Sequence, residues 1–339
     1  MQNTSMLQIE PLSSPWKAQD PFLFCAYHKD AYPKGNEQMG LNTEQMKGRM
    51  IGQDFAIKNG FRMYHGSMVP GFPFHPHRGF ETVTIAVEGV VDHSDSLGGA
   101  GRFKDGDVQW MTAGKGIQHS EMFPLLNTDK ENPFELFQIW LNLPKRSKFV
   151  KPHYKMLWKE SIPVVTSKDE TGKQTRIDII AGVLDGTNAL EPTPDSWAAD
   201  PSNGVAIFLI KMEAGARWVL PAAQEGLNRN LYFYQGDGLH IEGQNVPANS
   251  RITLDPAMDV TIVNGNADAY LLLLQGKPIG EPVVQYGPFV MNSEQEIRDT
   301  MIDYQKTQFG GWPWPMKEQV WEKRKGRFAH YADGTDELK

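Results

Sequence analysis

Only one cysteine, Cys25, stands in 339 residues. The chain can therefore close no internal disulfide and supply no thiolate cluster to zinc, and a reducing compartment, the cytoplasm, is expected. No run approaches the roughly 18 consecutive apolar residues of a membrane span. The opening stretch, MQNTSMLQIEPLSSPWK, lacks a basic segment leading into an apolar one, so export is not expected either. Positive charge is in short supply: 34 Lys and Arg against 41 Asp and Glu leave a net charge of −7. Direct binding of nucleic acid or anionic lipid is thereby disfavoured. What is present, 40% hydrophobic residues with 32 Gly and 23 Pro scattered along the chain, describes a loop-rich globular protein of many short strands.

The strands can be read from turn to turn. ETVTIAVEG, VVDHSDSLGG, GDVQWMTAGKG and FELFQIWLNL follow one another between Glu81 and Trp140, the spacing of a sandwich or small barrel. In the first of them Val83, Ile85 and Val87 share one parity and are expected to face the core. A basic, proline-containing stretch, LPKRSKFVKPHYKMLWKESIPVV, interrupts the pattern and sets a domain boundary near Tyr154. A second β series follows, in which NLYFYQGD stands where TVTIAVEG stood, so two similar domains are expected, 1–153 and 154–315. Ser293 and Glu296 have capping-box spacing and predict a helix from about Ser293 to Gln305, ended by Gly310-Gly311. Trp312-Pro313-Trp314-Pro315 should dock on its own fold, and residues 316–339 read as a loosely held polar tail.

The chemistry concentrates in GFPFHPHRGFETVTIAVEG. His75 and His77 are two apart, so an extended backbone sends both imidazoles to one face, and continued parity would add Glu81. Some forty residues on, His119 and Glu121 repeat the arrangement after a glycine-rich turn. Three imidazoles and one or two carboxylates form a donor set for a divalent transition metal, and nothing in core packing asks for three inward histidines. Parity permits either Glu81 or Glu121 as the carboxylate. His93 reads as a surface residue or one that stands beside the ligands. His28, His65, His153, His240 and His330 have no ligand context, and Cys25, between Phe24 and Ala26, reads as a buried inert thiol.

HPHRGFETVT, GDVQWMTAGKGIQHSEM and the downstream GEPVVQYGPFVMNSEQEI resemble the pirin family of the cupin superfamily, as do DPFLFCAYHKD and FGGWPWP. The resemblance implies an all-β bicupin: two antiparallel β-barrels with a short C-terminal helix, of which only the N-terminal barrel holds metal. In agreement, LPAAQEGLNRN has no histidine where HPHRGFE sits in the first half. Carried over, the ligands fall on His75, His77, His119 and Glu121, with Glu121 also taking a substrate proton and Glu81 supporting it. One divalent ion is implied, Fe2+ first, although Ni, Mn, Co, Cu or Zn suits the same donors. The implied activity is dioxygenation of a flavonol such as quercetin with O2; the alternative is a redox-sensitive regulatory protein with a protein partner. The segment between Tyr32 and Pro70 is longer than in the pirins it resembles and is expected to cover the mouth of the barrel.

Overall fold

The computed structural model describes residues 5–339. The chain is mostly β and divides into two compact units, but not at a single cut near Tyr154. One unit takes 27–138, 145–159 and 281–339; the other takes the chain up to Ala26, 139–144 and 160–280. The exchange has a physical cause at each end. Strand β1 (Met6–Pro11) finds its ladder partner in Ser250–Leu254, with Ile9 opposite Ile252, and Met6 is buried among Ile177, Leu231 and Leu254. The C-terminal segment is no loose tail. Phe328–His330 pairs antiparallel with strand 100–104, Asp336–Leu338 pairs with Phe328–His330 in turn, and Phe328 and Ala329 are buried.

In the unit of 160–280, a seven-stranded antiparallel sheet, joined by β1 at its edge, faces a four-stranded one. Ile177, Phe208, Leu231, Phe233 and Leu271 from the first meet Trp218, Ile241 and Ile262 from the second. The alternation that buries Leu231 and Phe233 on one face is what the strand pattern of NLYFYQ requires.

The other unit carries the candidate site. Strand β2 (Trp16–Lys17) falls with β1 in the unit of 160–280; the strands here are, in whole or in part, β3 (Phe22–Tyr32), β4 (Gly71–His77), β5 (Phe80–Glu88), β6 (Val90–Asp95), β7 (Ala100–Lys104), β8 (Val108–Thr112), β9 (Ile117–Met122), β10 (Asn132–Asn142) and β11 (His153–Leu157). One sheet runs β11-β8-β5-β10-β3-β2; the other runs from Asp336–Leu338 through Phe328–His330 to β7-β6-β9-β4. Among the described residues each sheet ends in two edge strands, so the expected closed barrels are open, layered sheets. Ala86 and Met111 from the first sheet pack with Val91, Phe103 and Ile117 from the second, and with Phe123 just beyond β9. Each such Phe or Met, fully buried, contributes roughly 1.5–3 kcal/mol.

Helix α1 (Glu294–Thr307) follows the sequence expectation to within two residues. Ser293 caps it by accepting from the Glu296 amide, while the Glu296 carboxylate accepts from Asn292 rather than from the cap residue. Trp312 stacks on Phe74, and the Trp314 indole donates to the Asp95 carbonyl, so the WPWP segment docks as expected.

Candidate metal centre

Strands β4 and β9 run antiparallel with His75 opposite His119, His77 opposite Ile117 and Phe72 opposite Glu121; the register shifts between Phe72 and His75. Pairing two strands whose histidine and glutamate side chains leave by the same face brings the donors together. Nitrogens of His75, His77 and His119 lie within 4.8 Å of one another, and the Nε2 atoms of His75 and His119 are 3.0 Å apart. Two nitrogens bound at about 2.1 Å and 90° to one ion would be separated by ~3.0 Å, so this spacing fits neighbouring ligands of a six-coordinate ion. His75 donates from Nδ1 to the Pro73 carbonyl at 2.9 Å, which leaves its Nε2 lone pair aimed at the cluster.

Burial keeps all three imidazoles neutral and thus able to ligate. It pushes His75 down to about 4, helped by the neighbouring His65 and His93, and His77 and His119 well below the usual histidine range. Glu121 completes the group with Oε2 3.7 Å from His119 Nε2. Its carboxylate accepts from Thr84 Oγ1 at 3.1 Å and from Gln138 Nε2 at 2.5 Å. Burial raises its pKa, opposed by His93 and by those two hydrogen bonds.

Glu81 is a correction. Gly79, at φ +85°, turns the chain between β4 and β5 and breaks the parity that would have carried Glu81 onto the histidine face. Glu81 is buried on the opposite face, where it accepts from Thr112 at 2.6 Å. The even positions of β5 turn toward the cluster: Thr84 reaches Glu121, and Ala86 joins the core there. Both faces of β5 are buried: Val83 and Ile85 lie in the core as expected, on the face opposite Thr84. A side chain at Gly79 would also place its Cβ 2.0 Å from the Val290 carbonyl oxygen.

His93 lies fully buried beside the cluster, not on the surface. It sits opposite Glu121 on β6, its Nε2 is 3.2 Å from Asp95 Oδ2, and its ring is 5.7 Å from that of His119. Thr84, Gln138 and the contact of His93 with Asp95 escaped the sequence reading; parity carried from the histidines put Thr84 on the wrong face, and Gln138 carried no signal. His28 is half-buried, its ring against Tyr64 and outside the cluster; desolvation of the ring, helped by Arg62, pushes it down to about 3. Cys25 is buried, and burial holds its thiol far above the usual range, inert as expected. A cleft of about 400 Å³ bounded by Tyr32, Lys104, Phe123 and Phe134 contains none of the four donors; donor chemistry, not cavity size, locates the site.

The neutral imidazoles set a pH dependence for protein stripped of metal. In the unfolded chain these histidines titrate near 6.5, while His75 folded titrates near 4. Between those values the unfolded state binds more protons, so stability is full above pH 6.5 and falls as pH drops toward 4. His75 alone accounts for ~3 kcal/mol by pH 4, and His77 and His119 add to it. Glu121, shifted the other way, reduces the slope without reversing it. Urea midpoints of chelator-treated protein should fall steadily from pH 7 to 4.5; a flat profile would contradict buried neutral imidazoles.

A mostly β chain whose paired strands converge three imidazoles and a carboxylate inside one unit defines a cupin with a candidate metal centre. Comparison with known proteins makes the class specific. The Pirin family model matches residues 7–141 and the Pirin C-terminal cupin domain matches 207–310. A Pseudomonas aeruginosa protein provisionally named quercetin 2,3-dioxygenase is 38% identical over 239 residues, 70% of this chain and 79% of the relative. A pirin-like protein of Caulobacter vibrioides is 36% identical over 70% of this chain and 80% of its own length. The crystal structure of quercetin 2,3-dioxygenase from Acinetobacter baumannii superposes with a TM-score of 0.69 at 28% identity, covering 91% of this chain and 93% of that one. The chain belongs to the pirin family. No described helix is long and apolar enough to cross a membrane.

Proposed function

We propose that the protein is a metal-dependent dioxygenase that opens flavonols such as quercetin, with His75, His77, His119 and Glu121 as metal ligands. The observation that carries this reading is the buried three-imidazole cluster beside a carboxylate held by two hydrogen-bond donors. An ion held there, Fe2+ first, with Ni, Mn, Co, Cu or Zn suited to the same donors, would supply Lewis acidity toward a phenolic hydroxyl and a route for electrons to O2. The chain's own residues do the rest. Being neutral, the three imidazoles would leave the positive charge of a bound ion uncancelled, which favours a phenolate over a phenol. Glu121 receives the hydroxyl proton at its carboxylate; burial raises its affinity for that proton, and Thr84 and Gln138 fix its orientation. Phe80, fully buried 5.1 Å from His77, excludes water on that side of the imidazoles. The net change adds both atoms of O2 across the heterocycle and releases carbon monoxide. A cytoplasmic location belongs to the same reading, since the lone thiol is buried and unpaired with another cysteine.

The test loads chelator-treated protein with Fe2+ under argon and follows oxygen uptake and carbon monoxide release with quercetin. Uptake should scale with bound metal. Equal turnover by metal-free protein, or none with any of the six metals, overturns the reading.

A further inference from the structure

Of the three imidazoles, His77 and His119 are buried and His75 is half-buried, so the cluster opens to solvent on the His75 side. That side is furnished by the segment between β3 and β4. Phe72, at the start of β4, lies 6.2 Å from the His75 ring; Phe55 lies 6.4 Å beyond Phe72, and His65 packs 6.0 Å from Phe72 and 4.9 Å from Phe55. Phe55 is 50% exposed, a large ring left open to solvent. We propose, resting on the flavonol reading above, that Phe55, His65 and Phe72 form an aromatic subsite that takes the outer ring of a flat polyphenol held by its other end at the metal.

Three features show that these rings are placed rather than loose. Phe55 follows Asp54, whose carboxylate binds the buried Arg49 at 2.7 Å and the Met63 amide at 3.1 Å. Behind Phe55 stands Tyr64, 5.8 Å away edge-on, its hydroxyl 2.6 Å from Asp30. Tyr64 is a buried, non-glycine residue at φ +58°, a strained conformation kept by its surroundings, and it sets the direction of the next residue, His65. His65 donates from Nδ1 to the Gly52 carbonyl at 2.6 Å. In the neutral ring that leaves Nε2 as a free acceptor for a substrate hydroxyl.

The chemistry names the ligand class. Phe55 is joined to His75 through Phe72, by ring contacts of 6.4 and 6.2 Å, so a ligand that touches both ends is longer than a single ring, as a flavonol with its pendant ring is. Face and edge contacts with Phe55 and Phe72 suit any planar ring; Nε2 of His65 favours one that carries a hydroxyl.

Anaerobic titration of metal-loaded protein with quercetin, galangin (no hydroxyl on the pendant ring) and catechol separates these contributions without turnover. Phe55→Ala should weaken quercetin at least tenfold and catechol less than twofold. His65→Phe, which keeps the ring but not the acceptor, should abolish the roughly fivefold or greater preference for quercetin over galangin. Elemental analysis and circular dichroism report that metal and fold are retained. If both variants bind quercetin as tightly as the parent, or the parent binds quercetin no better than catechol, the subsite does not exist. Rim-dependent quercetin binding without oxygen uptake sinks the dioxygenase reading and leaves the subsite standing; quercetin turnover indifferent to both variants does the reverse.

Discussion

His119→Ala should leave the protein folded and nearly metal-free, with quercetin turnover reduced in proportion, while Glu121→Gln, which keeps the three imidazoles but gives up the carboxylate, should bind metal more weakly and lose turnover even per bound metal. The two expectations separate holding an ion from moving a proton. Structural sites with four protein ligands bind zinc with about 10–16 kcal/mol, so one ligand of four is worth ~3–4 kcal/mol, or roughly 10²–10³ in affinity. His119 is the central imidazole: its Nε2 is 3.0 Å from His75 and 3.7 Å from Glu121. Removing it breaks the group at its middle. Gln at 121 keeps the shape and a carbonyl oxygen for Thr84, but it cannot take a proton and presents an amide where Gln138 now donates. The proton-transfer contribution, about 10²–10⁴ in rate, is lost while the three imidazoles stay. Elemental analysis followed by oxygen uptake per bound metal measures both. Full turnover per metal in Glu121→Gln would remove the proton-accepting role; full metal content in His119→Ala would remove the ligand assignment.

The site was legible because its signal is local. His75 and His77, then His119 and Glu121, each declare a shared strand face within three residues, and the only long-range fact needed is that β4 and β9 pair. Glu81 was misplaced because its inference carried parity through Arg78-Gly79, where the positive φ of Gly79 starts a new strand with a new face. Gln138 could not have been found: β10 carries it to Glu121 from 17 residues away, and only the assembled sheet decides that meeting. The domain division failed for the same kind of reason. A boundary read from composition assumes that neighbours in sequence fold together, yet Met6 and Phe328 each belong to a ladder formed far along the chain. Three aromatic residues, Trp321, Phe328 and Tyr331, could have warned that 316–339 is too apolar for a solvated tail; Phe328 is buried and the other two are half-buried.

That C-terminal segment is fastened by one buried cation, and Arg102→Met should loosen it by about 3–5 kcal/mol. Arg102 is 1% exposed and spends all five of its N–H donors. Nε and Nη2 reach the two oxygens of Asp92 at 2.7 Å each, Nη2 also reaches the Trp321 carbonyl, and Nη1 reaches the carbonyls of Glu322 and Lys325. Asp92 further accepts from the Trp321 amide at 2.8 Å. Burial raises the Asp92 pKa and Arg102 opposes it, so without the guanidinium a carboxylate is left charged in the interior or must take up a proton. Three carbonyls lose their donor at the same time. The expected readings are a lower urea midpoint, amide exchange at Phe328–His330 faster by ~10²–10³, and new proteolytic cuts after residue 315. Asp92→Asn combined with Arg102→Met should recover part of the loss, because no unpaired charge then remains. If the single variant lies within about 1 kcal/mol of the parent, or the double variant is no better than the single, the pair does not anchor the segment. Asp92 immediately precedes His93, so the anchored segment also braces β6 against the strand that carries His119 and Glu121.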